Sequence, residues 1–245
     1  MQDYPFFKNP FLPLAFVLGL AVIIATGIGA WTTFAVKSLD NTLSVTGSAK
    51  TAVTSDATRF SFSIVRTVPE SELGVGYARL AGDVTAVKTF LTARALTDAE
   101  LVVEPAMASQ IYDYNNTGAP TRYRVSQTFR INSTRVAEIT ALAQGLSTLS
   151  SQGIYIETMP VEYYYTKLAE LRVSLLGDAL RDAKARADSI VNESGQRVGR
   201  LKSASSGVVQ VLAPNSINID DYGQYDTSSK EKEVMVTTRA TFFVD

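Results

Sequence analysis

Residues 121–133 read TRYRVSQTFRINS, and this stretch decides the fold class. Tyr123, Val125, Phe129 and Ile131 fall on one face of an extended chain, because successive strand side chains point to opposite sides. Arg122, Arg124 and Arg130 take the other face. A strand that is apolar on one side and cationic on the other belongs to a sheet covered on one face and wet on the other, which argues for antiparallel pairing. A second strand is expected over 101–112. The polar run 113–120 between the two reads as a hairpin loop.

The pattern extends in both directions. Leu43, Val45, Gly47 and Ala49 alternate with Ser44, Thr46 and Ser48, and Phe60, Phe62 and Ile64 mark another strand. Pro69 is expected to open a helix, with Glu70 and Glu72 in its first turn. Leu73, Tyr77, Leu80, Val84, Val87 and Leu91 then recur at spacings of four and three, forming one apolar stripe able to cover a sheet. Val136, Ile139, Ala143 and Leu146 predict a helix over 136–149, and a strand follows over 154–165. A long helix is expected over 168–194, with i,i+4 pairs such as Asp182–Arg186 and Lys184–Asp188. Gly195 is placed to end it in the left-handed conformation. Strands over 201–213 and 232–244 flank a polar loop, 214–230. The order ββα-ββ-α-β-α-ββ predicts an α+β domain over 42–245, a mainly antiparallel sheet with helices on one face.

Upstream of this domain lies a short tail, 1–11, and then the segment 12–36, LPLAFVLGLAVIIATGIGAWTTFAV, which carries no charge. At ~1.5 Å per residue it crosses the ~30 Å hydrocarbon core with some tilt. Pro13 suits a first helical turn and Trp31 an interface. A cleaved signal peptide would have a shorter apolar core followed by a small-x-small site, and the nearest candidate, Ala25-Thr26-Gly27, lies inside the apolar run. The expectation is therefore a retained transmembrane anchor. Asp3, Lys8 and the free amine sum to a slight positive charge before it, whereas Lys37 and Asp40 cancel after it, which favours an outside location for the large domain. Ala21, Ala25 and Gly29 form a small-xxx-small series, a candidate packing face between membrane helices as well as ordinary membrane-helix composition.

Composition removes several functions. The chain has 245 residues, a net charge of −1, and neither cysteine nor histidine. That charge is no footprint for a nucleic-acid binder. Lack of cysteine excludes disulfides and zinc–thiolate sites, and lack of histidine excludes the Ser-His triad, the Cys-His dyad and the usual zinc centres. No phosphate-binding loop, dinucleotide fingerprint or nucleophile elbow is present. No catalytic, cofactor-binding or metal residue is assigned. Asp220, Asp221 and Asp226 lack the spacing of a calcium loop and read as a solvated loop. Ser228, Ser229 and Lys230 are adjacent, but adjacency is not a catalytic geometry. Tyr163, Tyr164 and Tyr165 form an aromatic run. Val234, Val236 and Phe242 oppose Met235 and Phe243 in the last strand. Apolar side chains on both faces call for a second cover, so Tyr163, Tyr164, Tyr165, Met235 and Phe243 are candidate interface residues.

Residues 43–57, LSVTGSAKTAVTSDA, resemble the opening of the SIMPL-domain family, bacterial envelope proteins that include a periplasmic immunogenic protein. Val45, Gly47 and Asp56 match the pattern V-x-G-x-G, a gap, then P-D-x-A; Ala49, Ser55 and Thr58 depart from it. The stretch 179–199, ALRDAKARADSIVNESGQRVG, resembles the family's alanine-containing helix, with Gly195 and Gly199 at its two glycine positions. The closing strand 234–244 is also of the family type. The resemblance implies an α+β fold, an envelope location and homo-oligomers, ring-like in some relatives. It implies no catalytic residues and no cofactor. The leading expectation is a single-pass protein of the bacterial inner membrane with a periplasmic domain, self-associating, non-enzymatic, with a structural or stress-related role. The alternative is a periplasmic small-ligand binder or an enzyme of unknown reaction.

Overall fold

The structure, a computed structural model, describes residues 11–38, 41–112, 120–216 and 222–245. Its elements are α1 (Phe11–Ser38), β1 (Thr42–Thr54), β2 (Ala57–Pro69), α2 (Leu73–Thr92), β3 (Leu101–Val103), β4 (Met107–Ile111) and β5 (Arg122–Ser133). They continue with α3 (Val136–Gly145), α4 (Ser147–Ser150), β6 (Tyr155–Thr158), β7 (Glu162–Tyr164), α5 (Leu168–Asn192), β8 (Val198–Leu212) and β9 (Glu231–Val244). The fold is α+β, as the alternation of residues 121–133 predicts. The chain divides into two compact units, one of residues 1–48, 176–207 and 237–245, the other of 49–175 and 208–236.

The second unit is built on an antiparallel sheet of order β3-β5-β2-β6, with β4 also on β5 and β7 also on β2. Phe60, Phe62, Ile64, Val125, Phe129 and Ile131 bury on the face covered by α2, α3 and α4. The Phe62 and Phe129 rings, cross-strand partners, stack at 5.0 Å. The other face carries the Ser63–Thr128 hydroxyl pair and the ion pairs Arg124–Glu157 and Arg130–Glu104. The arginines at 124 and 130 are thus placed as a wet face requires.

Differences from the sequence reading have local causes. Pro69 ends β2, and a 3-10 turn, Glu70–Glu72, precedes α2. Tyr77 of the expected stripe is exposed, and Gly76 lies buried beside it. A Cβ on Gly76 would come within 2.8 Å of a Val68 methyl, so the helix approaches the sheet where it has no side chain. Asp83 is also buried, because Arg66 of β2 donates to both its oxygens at 2.6 and 2.8 Å. The expected strands 101–112 and 154–165 are each split in two, at residues 104–106 and 159–161. Pro105 and Pro160 fall in the breaks, where a ladder N–H is missing. The loop 113–119 lies outside the described residues.

In the first unit, residues of β1, β9 and β8 form part of a three-stranded sheet of order β1-β9-β8, a second sheet where the sequence suggested one. Helix α5 lies on it through Ala183 and Ala187, which pack with Ala240, Phe242, Leu43 and Val45. The approach is close enough that a Cβ on Gly47 would fall on the Ala179 carbonyl oxygen and the Ala183 amide nitrogen. Gly195 has φ +74°, as expected, and its N–H and that of Gln196 close the helix on the carbonyls of Asn192 and Val191. This is the Schellman arrangement. Asp182 pairs with Arg186 at 2.8 Å. The helix's other ion pair is Asp178–Arg181 rather than Lys184–Asp188.

The segment Leu14–Lys37 of α1 is long and apolar enough to cross a membrane, with mean hydropathy 2.2 and no part of it buried in the protein. Ala21, Ala25 and Gly29 are exposed along it. The hydroxyls of Thr26 and Thr33 donate to the carbonyls of Val22 and Gly29 at 2.8 and 2.7 Å. These threonine hydroxyls, with that of Thr32 on the Ile28 carbonyl, are therefore satisfied within the helix, as a lipid environment demands.

Candidate functional site

An open cleft of about 710 Å³ lies in the second unit where β2 begins and β5 and β7 end. Its position follows from register: Ala57 pairs with Tyr164 of β7, and Arg59 with Asn132 of β5 on its other side. Tyr165, Thr166, Thr134 and Tyr225 complete the lining.

Strand β7 stops at Tyr164 for reasons visible in its hydrogen bonds. The Tyr165 N–H donates to the Tyr225 hydroxyl at 2.9 Å. Asp56 then fixes the next residue, one carboxylate oxygen accepting from the Thr166 N–H at 2.8 Å and the other from its hydroxyl at 2.9 Å. Period-two alternation therefore ends at 164. Tyr163 points away and meets the Thr140 hydroxyl of α3 at 3.1 Å, while both Tyr164 and Tyr165 line the cleft. The Tyr164 and Tyr225 ring centroids stand 6.0 Å apart, and the Arg59 guanidinium lies 5.5 Å from the Tyr164 centroid. Burial and the hydrogen bond to Glu162 raise the Tyr164 phenol above its ordinary pKa, so it stays a neutral donor.

Charge around the cleft is internally matched. Arg59 donates to the Asn132 side-chain oxygen at 3.2 Å and approaches Glu162 at 3.9 Å. Glu100 accepts from Arg135 at 2.7 and 3.1 Å and from the Ser133 hydroxyl, with further bonds from Thr97. The arginine, more than any other group, holds its carboxyl down at about 2.

Tyr225 itself is held from behind. Lys232 of β9 is fully buried, 3.4 Å from an Asp226 carboxylate oxygen and bonded to the Asp226 carbonyl. Burial pushes the Asp226 carboxyl up, but hydrogen bonds from Ser228 and Ser229 outweigh that and hold it well below the usual carboxylate range. Burial lowers the Lys232 pKa against the pull of Asp226. The Asp226 carboxylate accepts from Ser228 and Ser229 in a turn, and the Lys230 carbonyl accepts from the Ser55 N–H, so the run 228–230 is engaged in structural bonds. Asp220 and Asp221 lie outside the described residues. Among those described, no three acidic side chains converge as a metal site.

The remaining sequence candidates lie elsewhere. Met235 and Phe243 are half-buried on the second face of β9. Arg200 and Lys202 lie 4.9 and 5.5 Å from the Phe243 ring centroid, so the chain itself supplies part of its cover.

The chain matches the family model SIMPL, described as a protein of unknown function (DUF541), over residues 43–242. The chain belongs to the SIMPL family. The match begins after α1 and takes in both sheets and α2–α5. The SIMPL-pattern residues Gly47 and Asp56 have defined work here, the first admitting α5 onto β1 and the second fixing Thr166. Ser55, where the pattern has proline, donates its N–H to the Lys230 carbonyl at 2.9 Å, a bond proline lacks. A search of curated proteins found no match. Sequence reading singled out Tyr164 and Tyr165 but missed Arg59, Tyr225 and Lys232. Only Lys232 carried a signal, a lysine on the same strand face as Val234 and Val236.

Proposed function

We propose that this SIMPL protein is a membrane-anchored component of the bacterial envelope that self-associates and carries out no catalytic step. The anchor reading is supported by the exposed α1, uncharged from Phe11 to Val36, and an envelope location by the family. The charge balance across α1 favours an inner-membrane protein with its domain in the periplasm.

One observation carries the self-association. Strand β8 is an edge of the three-stranded sheet, and its residues 200–206 are exposed throughout. A long exposed edge is a template for pairing with another chain. The opposite edge is blunted, because Asp182 accepts from the Ser48 N–H of β1 at 2.8 Å. At its far end β8 is covered as well, through the bonds of Val211 with Gln224 and Asp226. What is left is a stretch of small residues, Ser203 to Gly207, suited to two-fold pairing of β8 with β8. A role in envelope integrity under stress is the physiological form of this reading, supported by the resemblance alone.

Light scattering on the full chain in detergent tests the assembly. A particle larger than a monomer is expected, returning to monomer in Ala204→Pro or Ser205→Lys without loss of melting temperature. Assembly that survives both but is lost in Ala25→Leu would move the contact to Ala21, Ala25 and Gly29. A monomeric native chain at micromolar concentration ends the proposal.

A further inference from the structure

We propose that the cleft at the β7 end is a binding site for an uncharged, polyhydroxylated ligand, a saccharide of two or three rings. The volume, about 710 Å³, is in the range of small-molecule sites, and the cleft is open rather than enclosed, as a segment of a longer chain requires. Two features select the ligand class.

The first is the combination of surfaces. Tyr164, Tyr165 and Tyr225 supply flat apolar carbon, which suits the C–H faces of a pyranose ring. Beside them stand short or planar polar groups on exposed side chains, Asn132, Thr134 and Thr166. Asn132 uses its oxygen to accept from Arg59, which leaves two amide N–H donors for a ligand. Glu162 takes the Tyr164 hydroxyl on one oxygen. The Thr134 hydroxyl and the Asn132 amide set an acceptor beside donors along the cleft wall, the arrangement that a vicinal pair of hydroxyls matches, since each hydroxyl both donates and accepts.

The second is charge. An anion would need a cation to receive it, and Arg59 is shared with Glu162 and Asn132. A cation would meet the Arg59 guanidinium, and Glu100 is held by Arg135. A neutral ligand disturbs neither pair.

The test uses the full chain in a detergent without a sugar headgroup and two probes, maltotriose and the trimer of N-acetylglucosamine, followed by titration calorimetry and saturation-transfer NMR. At least one probe should bind with a millimolar or tighter Kd, and Tyr165→Ala or Asn132→Ala should weaken it by roughly tenfold or more. Asn132 is exposed, so its variant keeps the native melting temperature and serves if Tyr165→Ala fails to fold. Inorganic phosphate at equal concentration should not displace the sugar. No binding of either trisaccharide at millimolar concentration overturns the assignment. So does binding that is unchanged in both variants, or displacement by phosphate, which would make the cleft an anion site.

Discussion

Single residues carry much of this backbone. Three helices end in the same Schellman geometry, at Ala95, Gly153 and Gly195, with φ of 56°, 79° and 74°. Two of these positions are glycine, and Ala95 bears a Cβ in a conformation that disfavours one. Ala95→Gly should therefore stabilise the domain by about 1 kcal/mol, and Gly195→Val should destabilise it by about the same or more, both measured by denaturant titration. Gly47→Ala should be worse than either, because the added methyl meets helix backbone rather than a movable side chain. Glu100 gives a pH dependence with a definite sign. Its carboxyl stands near 4.5 when free and about 2 when folded, so its contribution is complete above pH 4.5 and lost as pH falls toward 2. Glu100→Gln should flatten the acid limb of stability against pH between those values. An unchanged slope would show that Arg135 does not hold the charged form.

Elements show what a sequence can and cannot reveal. The alternation of 121–133 and the spacing of Leu80, Val87 and Leu91 report directly which faces are buried, because apolar burial dominates the free energy. The division into two sheets was not legible, since strand order depends on contacts distant in the chain. Tyr163–Tyr165 read as one strand because propensity favours it, and the bonds that Tyr165 and Thr166 donate to Tyr225 and Asp56 end it at 164. Tyr225 gave no signal, being a tyrosine in a polar loop. The turn 226–229 is closed by the Asp226 carboxylate, which accepts from Ser228 and Ser229 and also faces the buried Lys232. Asp226→Ala strands the Lys232 ammonium in the interior and should cost about 3–5 kcal/mol. Lys232→Met leaves Asp226 with its serine bonds and fits an apolar face, so it should cost clearly less. Equal losses in thermal melts would mean that the pair acts as a unit rather than through the stranded ammonium.

At the scale of the whole molecule, the proposed anchor α1 sets where the rest would operate. The mature chain is expected to keep residues 12–36 and to stay with membranes through high-salt and alkaline washes, and an intact mass showing an N-terminus beyond Gly27 would contradict this. If α1 holds the chain in a membrane, confinement to one surface raises the effective concentration of copies and lowers the affinity that the proposed β8 pairing needs. The connection between α1 and β1 sets a further limit. Only Leu39, Asp40 and Asn41 separate Ser38 from Thr42. At ~3.5 Å per residue that link spans about 14 Å at full stretch. With α1 in a bilayer, the domain works on a short leash and sweeps a thin layer beside the lipid headgroups. The start of β1 would then stay within that distance of the lipid surface, so any partner of the first unit's sheet would be met at the membrane rather than away from it.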